Sequence, residues 1–305
     1  MPLHTPKYDE SDEDRPRIVL DTNGDFTLPF FIPPTFKLHE LDPTRFLLGY
    51  ELLIWSLRPV PKPSDVSCAK AAMGHGRNGV WTGTRFEAAD SPASMFPVCM
   101  VNTVGKHLIE RFCIHRRFVP QVSGLKTMLI YIDGACSNNG SPDKMPHGGC
   151  AFVFNDTGGR RLFSLEKKGA DDQPHVHTSN RAELRAVIEA LHFRDWWGEG
   201  WQRVIIATDS EYVDKGATEW LRTWAGRGWR TSGGKKVANR DLWIALSEAL
   251  RTYAESGCEV SFWMVPRNSN KADADAKAAA EIAISEEEYQ NQSEKPPMPR
   301  LWRNA

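Results

Sequence analysis

Four carboxylates, Asp133, Glu183, Asp209 and Asp273, stand where apolar elements of this chain end or helices begin. Asp133 closes the strand-like run Met128–Ile132, and Asp209 closes Val204–Thr208. Glu183 falls on the first turn of an amphipathic stretch from Asn180, and Asp273 opens an Ala-rich stretch ending near Ala283. Carboxylates at strand ends add nothing to a core, and several brought together repel one another. Such a cluster persists when a cation fills it, and hard oxygen ligands favour Mg²⁺ or Mn²⁺. Taken singly, each acid has an ordinary reading: a turn residue for Asp133, an N-terminal helix charge for Glu183, a cap for Asp209, a solvated helix face for Asp273. Their joint placement argues for a site that holds two divalent ions and cuts a phosphodiester.

The 305 residues leave room for one sizeable domain plus a second unit or long extensions. A net charge of −1 does not announce a nucleic-acid partner, so any electropositive surface must be local. The six cysteines (68, 99, 113, 136, 150 and 258) form no C-x-x-C pair. That usage fits reduced thiols in an intracellular protein, cytoplasmic or nuclear. Residues 1–17 are acidic and polar and read as a disordered tail rather than a secretory signal or transit peptide. Phe46–Leu57 is too short to span a bilayer, so no membrane association is expected. Residues 18–122 are irregular, broken by Pro29, Pro33, Pro34, Pro59, Pro61 and Pro63, with a loop at Gly74–Gly79. They read as an N-terminal extension of unknown role. Residues 286–305 read as a second disordered tail.

From Met128 the pattern becomes regular. Met128–Ile132, Gly149–Phe154 and Arg161–Lys167 read as strands, with a hairpin turn at Asn155–Gly159. Asn180–Trp197 reads as a helix, since Leu184, Val187, Ile188 and Leu191 recur at helical spacing, capped by Ser179 or Asn180. Val204–Thr208 is a buried-type strand, followed by helices over Glu211–Trp224 and Asp241–Ala254, a strand over Glu259–Val265 and a helix over Lys271–Ser285. The order βββαβααβα predicts an α/β domain over residues 126–285, a mixed five-stranded sheet flanked by helices. Its strand ends would bring the four acids to one edge.

Tyr131-Ile132-Asp133-Gly134-Ala135-Cys136-Ser137-Asn138-Asn139-Gly140 resembles the first-strand motif of ribonuclease H, cellular type 1. Thr178-Ser179-Asn180-Arg181-Ala182-Glu183-Leu184 resembles that family's first-helix motif, and Ala207-Thr208-Asp209-Ser210-Glu211-Tyr212-Val213 its second-aspartate motif. Trp220–Trp243 is similar to its basic protrusion. The resemblance covers about Met128–Ala280 and implies the ribonuclease H-like fold. It also implies a Mg²⁺-dependent endonuclease, with two ions and Mn²⁺ able to substitute, that hydrolyses the RNA strand of RNA–DNA hybrids. The four acids would be catalytic residues and metal ligands together. Asn139 and Asn180 match positions expected to touch the RNA backbone and its 2′-hydroxyls, with Cys136, Thr178 and Ser179 at neighbouring positions.

Lys215, Arg222, Arg227, Arg230, Lys235, Lys236 and Arg240 face only Asp214 and Glu219 as opposing charges, and Trp220, Trp224 and Trp229 interleave with them. Of these, Trp220, Arg227, Trp229, Arg230, Lys235 and Lys236 are expected to grip the duplex. Trp220 and Trp224 also suit packing, being four residues apart. The chain departs from the family pattern at Val265-Pro266-Arg267-Asn268-Ser269-Asn270, a short loop without the usual histidine, as in a fungal-like variant. The shortening makes Asp275 a rival to Asp273 as fourth ligand. A catalytically weakened hybrid-binding protein of the same fold is the alternative function. The expected state is a monomer.

Overall fold

A computed structural model describes residues 63–75, 79–97, 118, 120, 125–140, 144–155, 159–199 and 201–282. The chain divides into two compact units, and all described residues belong to the one formed by Pro59–Met100 and Arg116–Ala305. Both expected tails, and most of the expected extension, lie outside the described residues.

Five strands of the expected domain are present: β4 (Thr127–Ser137), β5 (His147–Val153), β6 (Arg160–Ser164), β7 (Arg203–Thr208) and β8 (Glu259–Met264). The extension contributes a helix α1 (Pro63–Ala72), a short hairpin β1 (Gly74–His75) and β2 (Trp81–Thr82), a strand β3 (Thr84–Arg85) and a single turn α2 (Pro92–Met95). The stretch Gly74–Gly79, expected as a loop, thus begins with a strand. β3 pairs parallel with β8, so the sheet has six strands rather than five, in the order β3-β8-β7-β4-β5-β6. Two residues between breaks carry no periodicity, and only their partner reveals them as a strand. Polar bonds hold β3 in place: Thr84 Oγ1 donates to Glu259 Oε1 at 2.6 Å, and Arg85 meets Asp214 at 3.1 Å.

β4, β7 and β8 run parallel, and their continuous apolar sequences fit burial on both faces. β4 continues past Asp133 to Ser137, where the sequence pattern had ended it. The apolar run stops where β7 stops pairing, at Tyr131↔Ala207, but antiparallel β5 pairs with β4 as far as Ser137↔His147. The first long helix, α3 (Ser179–His192), is capped by Thr178, whose side chain accepts from the Arg181 amide at 3.2 Å. Neither Ser179 nor Asn180 caps it, and Glu183 lies beyond the first turn. After β7 come α4 (Glu211–Lys215), a π turn over Gly216–Trp220, and α5 (Leu221–Gly226), where one helix was expected. α6 (Arg240–Glu255) precedes β8, and α7 (Asp273–Glu281) follows it.

Leu129 and Tyr131 of β4 share a buried cluster with Ala276 of α7 and with Phe96 and Phe118 from the extension. Phe96 and Phe118 are therefore part of this core. No helix among the described residues is long and apolar enough to cross a membrane. Cys68, Cys136, Cys150 and Cys258 are free thiols.

Candidate active site

Parallel register puts the first two acids side by side. The β4–β7 pairing ends at Tyr131↔Ala207, and two residues further along the same register Asp133 stands beside Asp209. α3 brings the third. A side chain at Gly134 would lie 2.1 Å from the Glu183 backbone nitrogen, so only glycine lets the helix come this close to β4. Carboxylate oxygens of Asp133, Glu183 and Asp209 consequently lie within 4.8 Å of one another. Full charges about 4 Å apart repel by roughly 4 kcal/mol at an effective dielectric of about 20.

The titration behaviour registers that conflict. Burial, then the charges of Asp209 and Asp273, push the Asp133 carboxyl up to about 7. Burial, then Asp133 and Asp209, push Glu183 well above the usual carboxylate range. Asp133 Oδ2 and Glu183 Oε2 are buried without a hydrogen-bond partner. Buried acceptors in a native protein are normally satisfied. Acceptor-only oxygens converging from three elements fit a hard divalent cation, and the group could hold one.

Asp273 is placed differently. It is half-buried at the start of α7, where Lys277 Nζ meets it at 2.6 Å and Arg267 Nε at 2.9 Å. The Lys277 hydrogen bond and then Arg267 hold its carboxyl below the usual range, against burial. Its charge still reaches Asp133. The rival Asp275 is turned to β6, paired with Arg160 at 3.4 Å. Arg267, in the histidine-less loop, also approaches Asp209 at 3.9 Å.

Sequence reasoning missed Asn270. This residue is 7% exposed, and its amide donates to Asp209 Oδ1 at 2.8 Å and to the Ile132 carbonyl at 2.9 Å. Asparagine in a polar loop gives no pattern to detect. A second acidic group was missed too: Asp171, His175 and Asp241 also bring ligand atoms within 4.8 Å. There Arg181 takes Asp241 in a two-pronged pair at 2.6 and 2.9 Å.

Of the remaining expected contact residues, Asn139 and Asn180 are exposed and Cys136 and Ser179 half-buried. Asn139 sits in the turn after β4 between two left-handed residues, Asn138 (φ 54°) and Gly140 (φ 78°). Thr178 is occupied as the α3 cap. In the basic segment Arg222, Arg227, Arg230, Lys235, Lys236 and Arg240 are exposed. Trp220 packs on Trp224 (5.6 Å between centroids), and Trp224 on Trp243 (5.4 Å). Trp229 takes φ 64° and lies under the Arg240 guanidinium at 5.4 Å.

Residues 125–280 match the RNase H family. The chain is 43% identical over 124 residues to the ribonuclease H of Paramagnetospirillum magneticum, which covers 41% of this chain and 70% of that protein. It is 43% identical over 123 residues to the ribonuclease H of Anaplasma marginale, covering 40% and 70%. Among solved structures, LC9-RNase H1, described as a type 1 RNase H with the type 2 active-site motif, aligns at 25% identity over 57% of this chain and 84% of that one, with a TM-score of 0.36. Because the family match spans half the sequence and every strand from β4 to β8, this chain belongs to the ribonuclease H family.

Proposed function

We propose that this protein is an endonuclease that hydrolyses the RNA strand of RNA–DNA hybrids, with Asp133, Glu183 and Asp209 as metal ligands and Asp273 completing the set. The observation that carries this is the meeting of three carboxylates within 4.8 Å, two of them with buried oxygens that nothing else satisfies. Two divalent ions, Mg²⁺ or Mn²⁺, would supply Lewis acidity for activating a water and stabilising a leaving 3′ oxygen. The chain's own groups bind and orient. Glu183, fixed by the Gly134 approach, and Asp133, fixed by pairing on β4, offer rigid oxygens, whereas Asp273 must exchange Lys277 and Arg267 for a ligand role. Asn139 and Asn180 would read the RNA strand's 2′-hydroxyls, alongside Cys136, Thr178 and Ser179.

The arm over Lys215–Arg240 would hold the duplex backbone. Exposed Arg227, Arg230, Lys235 and Lys236 meet phosphates, and Trp229, already stacked by Arg240, offers its indole to a sugar. Trp220 supports the arm through Trp224 and Trp243. The catalytic domain runs over residues 126–285 and works as a monomer in a reducing compartment. The test is cleavage of matched RNA–DNA, RNA–RNA and DNA–DNA duplexes with Mg²⁺, with Mn²⁺ and with EDTA. Cleavage of the hybrid alone, abolished by EDTA, is expected. Binding without cleavage under either ion would instead establish the weakened binding protein.

A further inference from the structure

We propose that Asn270 is a positioning residue for the divalent site, acting through Asp209; this rests on the metal-ligand reading of the three acids. Asn270 lies in the loop between β8 and α7 and reaches the cluster through Asp209. Its two amide hydrogens are both used, one on Asp209 Oδ1 at 2.8 Å and one on the Ile132 carbonyl at 2.9 Å. Its own oxygen accepts from the Ala272 amide at 3.2 Å, one residue before Asp273. A single buried side chain therefore ties together the backbone before Asp133, the carboxylate of Asp209 and the start of the helix that carries Asp273.

The type of donor matters. Asp209 is the acid with the least regular support: it lies one residue beyond the end of β7, where the ladder no longer fixes it. An arginine or lysine at 270 would hold it equally well but would add a positive charge beside the cluster and compete with a divalent ion. The asparagine amide is neutral. It engages only one Asp209 oxygen, Oδ1, without reducing the negative charge that draws the cation. Hydrogen-bond partners of metal-ligating carboxylates act in this way, and losing one typically costs about 10–100-fold in metal affinity or activity.

The experiment compares the full-length wild type with Asn270→Ala and Asn270→Ser, measuring Mn²⁺ affinity by calorimetry, thermal unfolding in EDTA, and kcat and KM on a hybrid. Serine keeps one short donor. Asn270→Ala is expected to weaken Mn²⁺ binding by roughly tenfold or more and lower kcat similarly at fixed ion concentration, with KM for the hybrid unchanged. Asn270→Ser should fall between it and the wild type. Wild-type Mn²⁺ affinity in a folded Asn270→Ala overturns the proposal, and so does an equal loss in KM. If Asn270→Ala does not fold, unchanged Mn²⁺ affinity in Asn270→Ser overturns it, and failure of both to fold shows that the residue holds the fold instead. A wild type that binds no Mn²⁺ and leaves hybrids uncut defeats the metal-ligand reading itself, which is a different result from any of these.

Discussion

Two groups among the described residues each bring three acidic or imidazole ligands within 4.8 Å, and they have opposite electrostatic characters. At Asp171–His175–Asp241, Arg181 meets Asp241 with two bonds, both partners being buried. Burial works to raise the Asp241 carboxyl, but the Arg181 bonds and charge outweigh it, and its net shift is downward. At Asp133–Glu183–Asp209 the guanidinium is farther off and outside: Arg267 meets Asp209 at 3.9 Å and is largely exposed. Both Asp133 and Glu183 shift upward. Clustered acids thus do not define a site by number. What decides is whether the fold supplies the compensating cation from its own side chains or leaves the charge open.

The strongest way to break this comparison is to remove acids from the open group. Asp133→Asn, Glu183→Gln or Asp209→Asn should each lower the rate of hybrid cleavage by roughly three orders of magnitude or more, measured under single turnover, since a metal pair acts as a unit. A near-normal rate in any of them removes that residue from the site. In the closed group the effect should be on folding. Arg181→Ala leaves the buried Asp241 carboxylate without its guanidinium partner and should cost about 3–5 kcal/mol in urea unfolding. The double change Arg181→Met with Asp241→Leu should recover much of that loss; if it does not, the pair does more than satisfy itself.

A subtler prediction concerns pH. Asp133 titrates higher in the folded protein than in the unfolded chain, so the metal-free fold holds the extra proton and loses stability as pH rises. That loss falls between the ordinary carboxylate range near 4 and about 7. Asp133→Asn should therefore stabilise the EDTA-treated protein at pH 8 by about 4 kcal/mol, about three pKa units at about 1.4 kcal/mol each, and hardly at all at pH 4. Excess Mn²⁺ should raise the unfolding temperature of the wild type and erase that advantage. A pH-independent difference would mean that Asp133 is not under electrostatic strain. The smallest effects belong to the exposed arm: Arg227→Ala or Lys235→Ala should each reduce the slope of log affinity against log salt by about one, leaving single-turnover kcat unchanged.

How legible all this was in the sequence depends on the range of each signal. The β4 and β7 runs and the period of α3 announce themselves because core-facing periodicity is local, and the acids ending those runs stand out against it. β3 is two residues long and becomes a strand only by pairing with β8, so nothing local marks it. The cap at Thr178 and the end of β4 were displaced for the same reason: competing hydroxyls and a partner strand settle them. Asn270 and the Arg181–Asp241 pair were invisible because each joins residues about 60 positions or more apart.

The sequence by itself determined the element order, the spacing that carries three acids to one sheet edge, and the basic tryptophan-rich arm. Patterning at periods of two and 3.6 residues encodes these directly. Only the tertiary structure decided which acids meet and which are neutralised. It set Asp273 among Lys277 and Arg267, turned Asp275 toward Arg160, and gave Asp209 a neutral amide to lean on. Charge balance is a property of distances, and the distances here are fixed by the parallel register and by the close approach of α3 over Gly134.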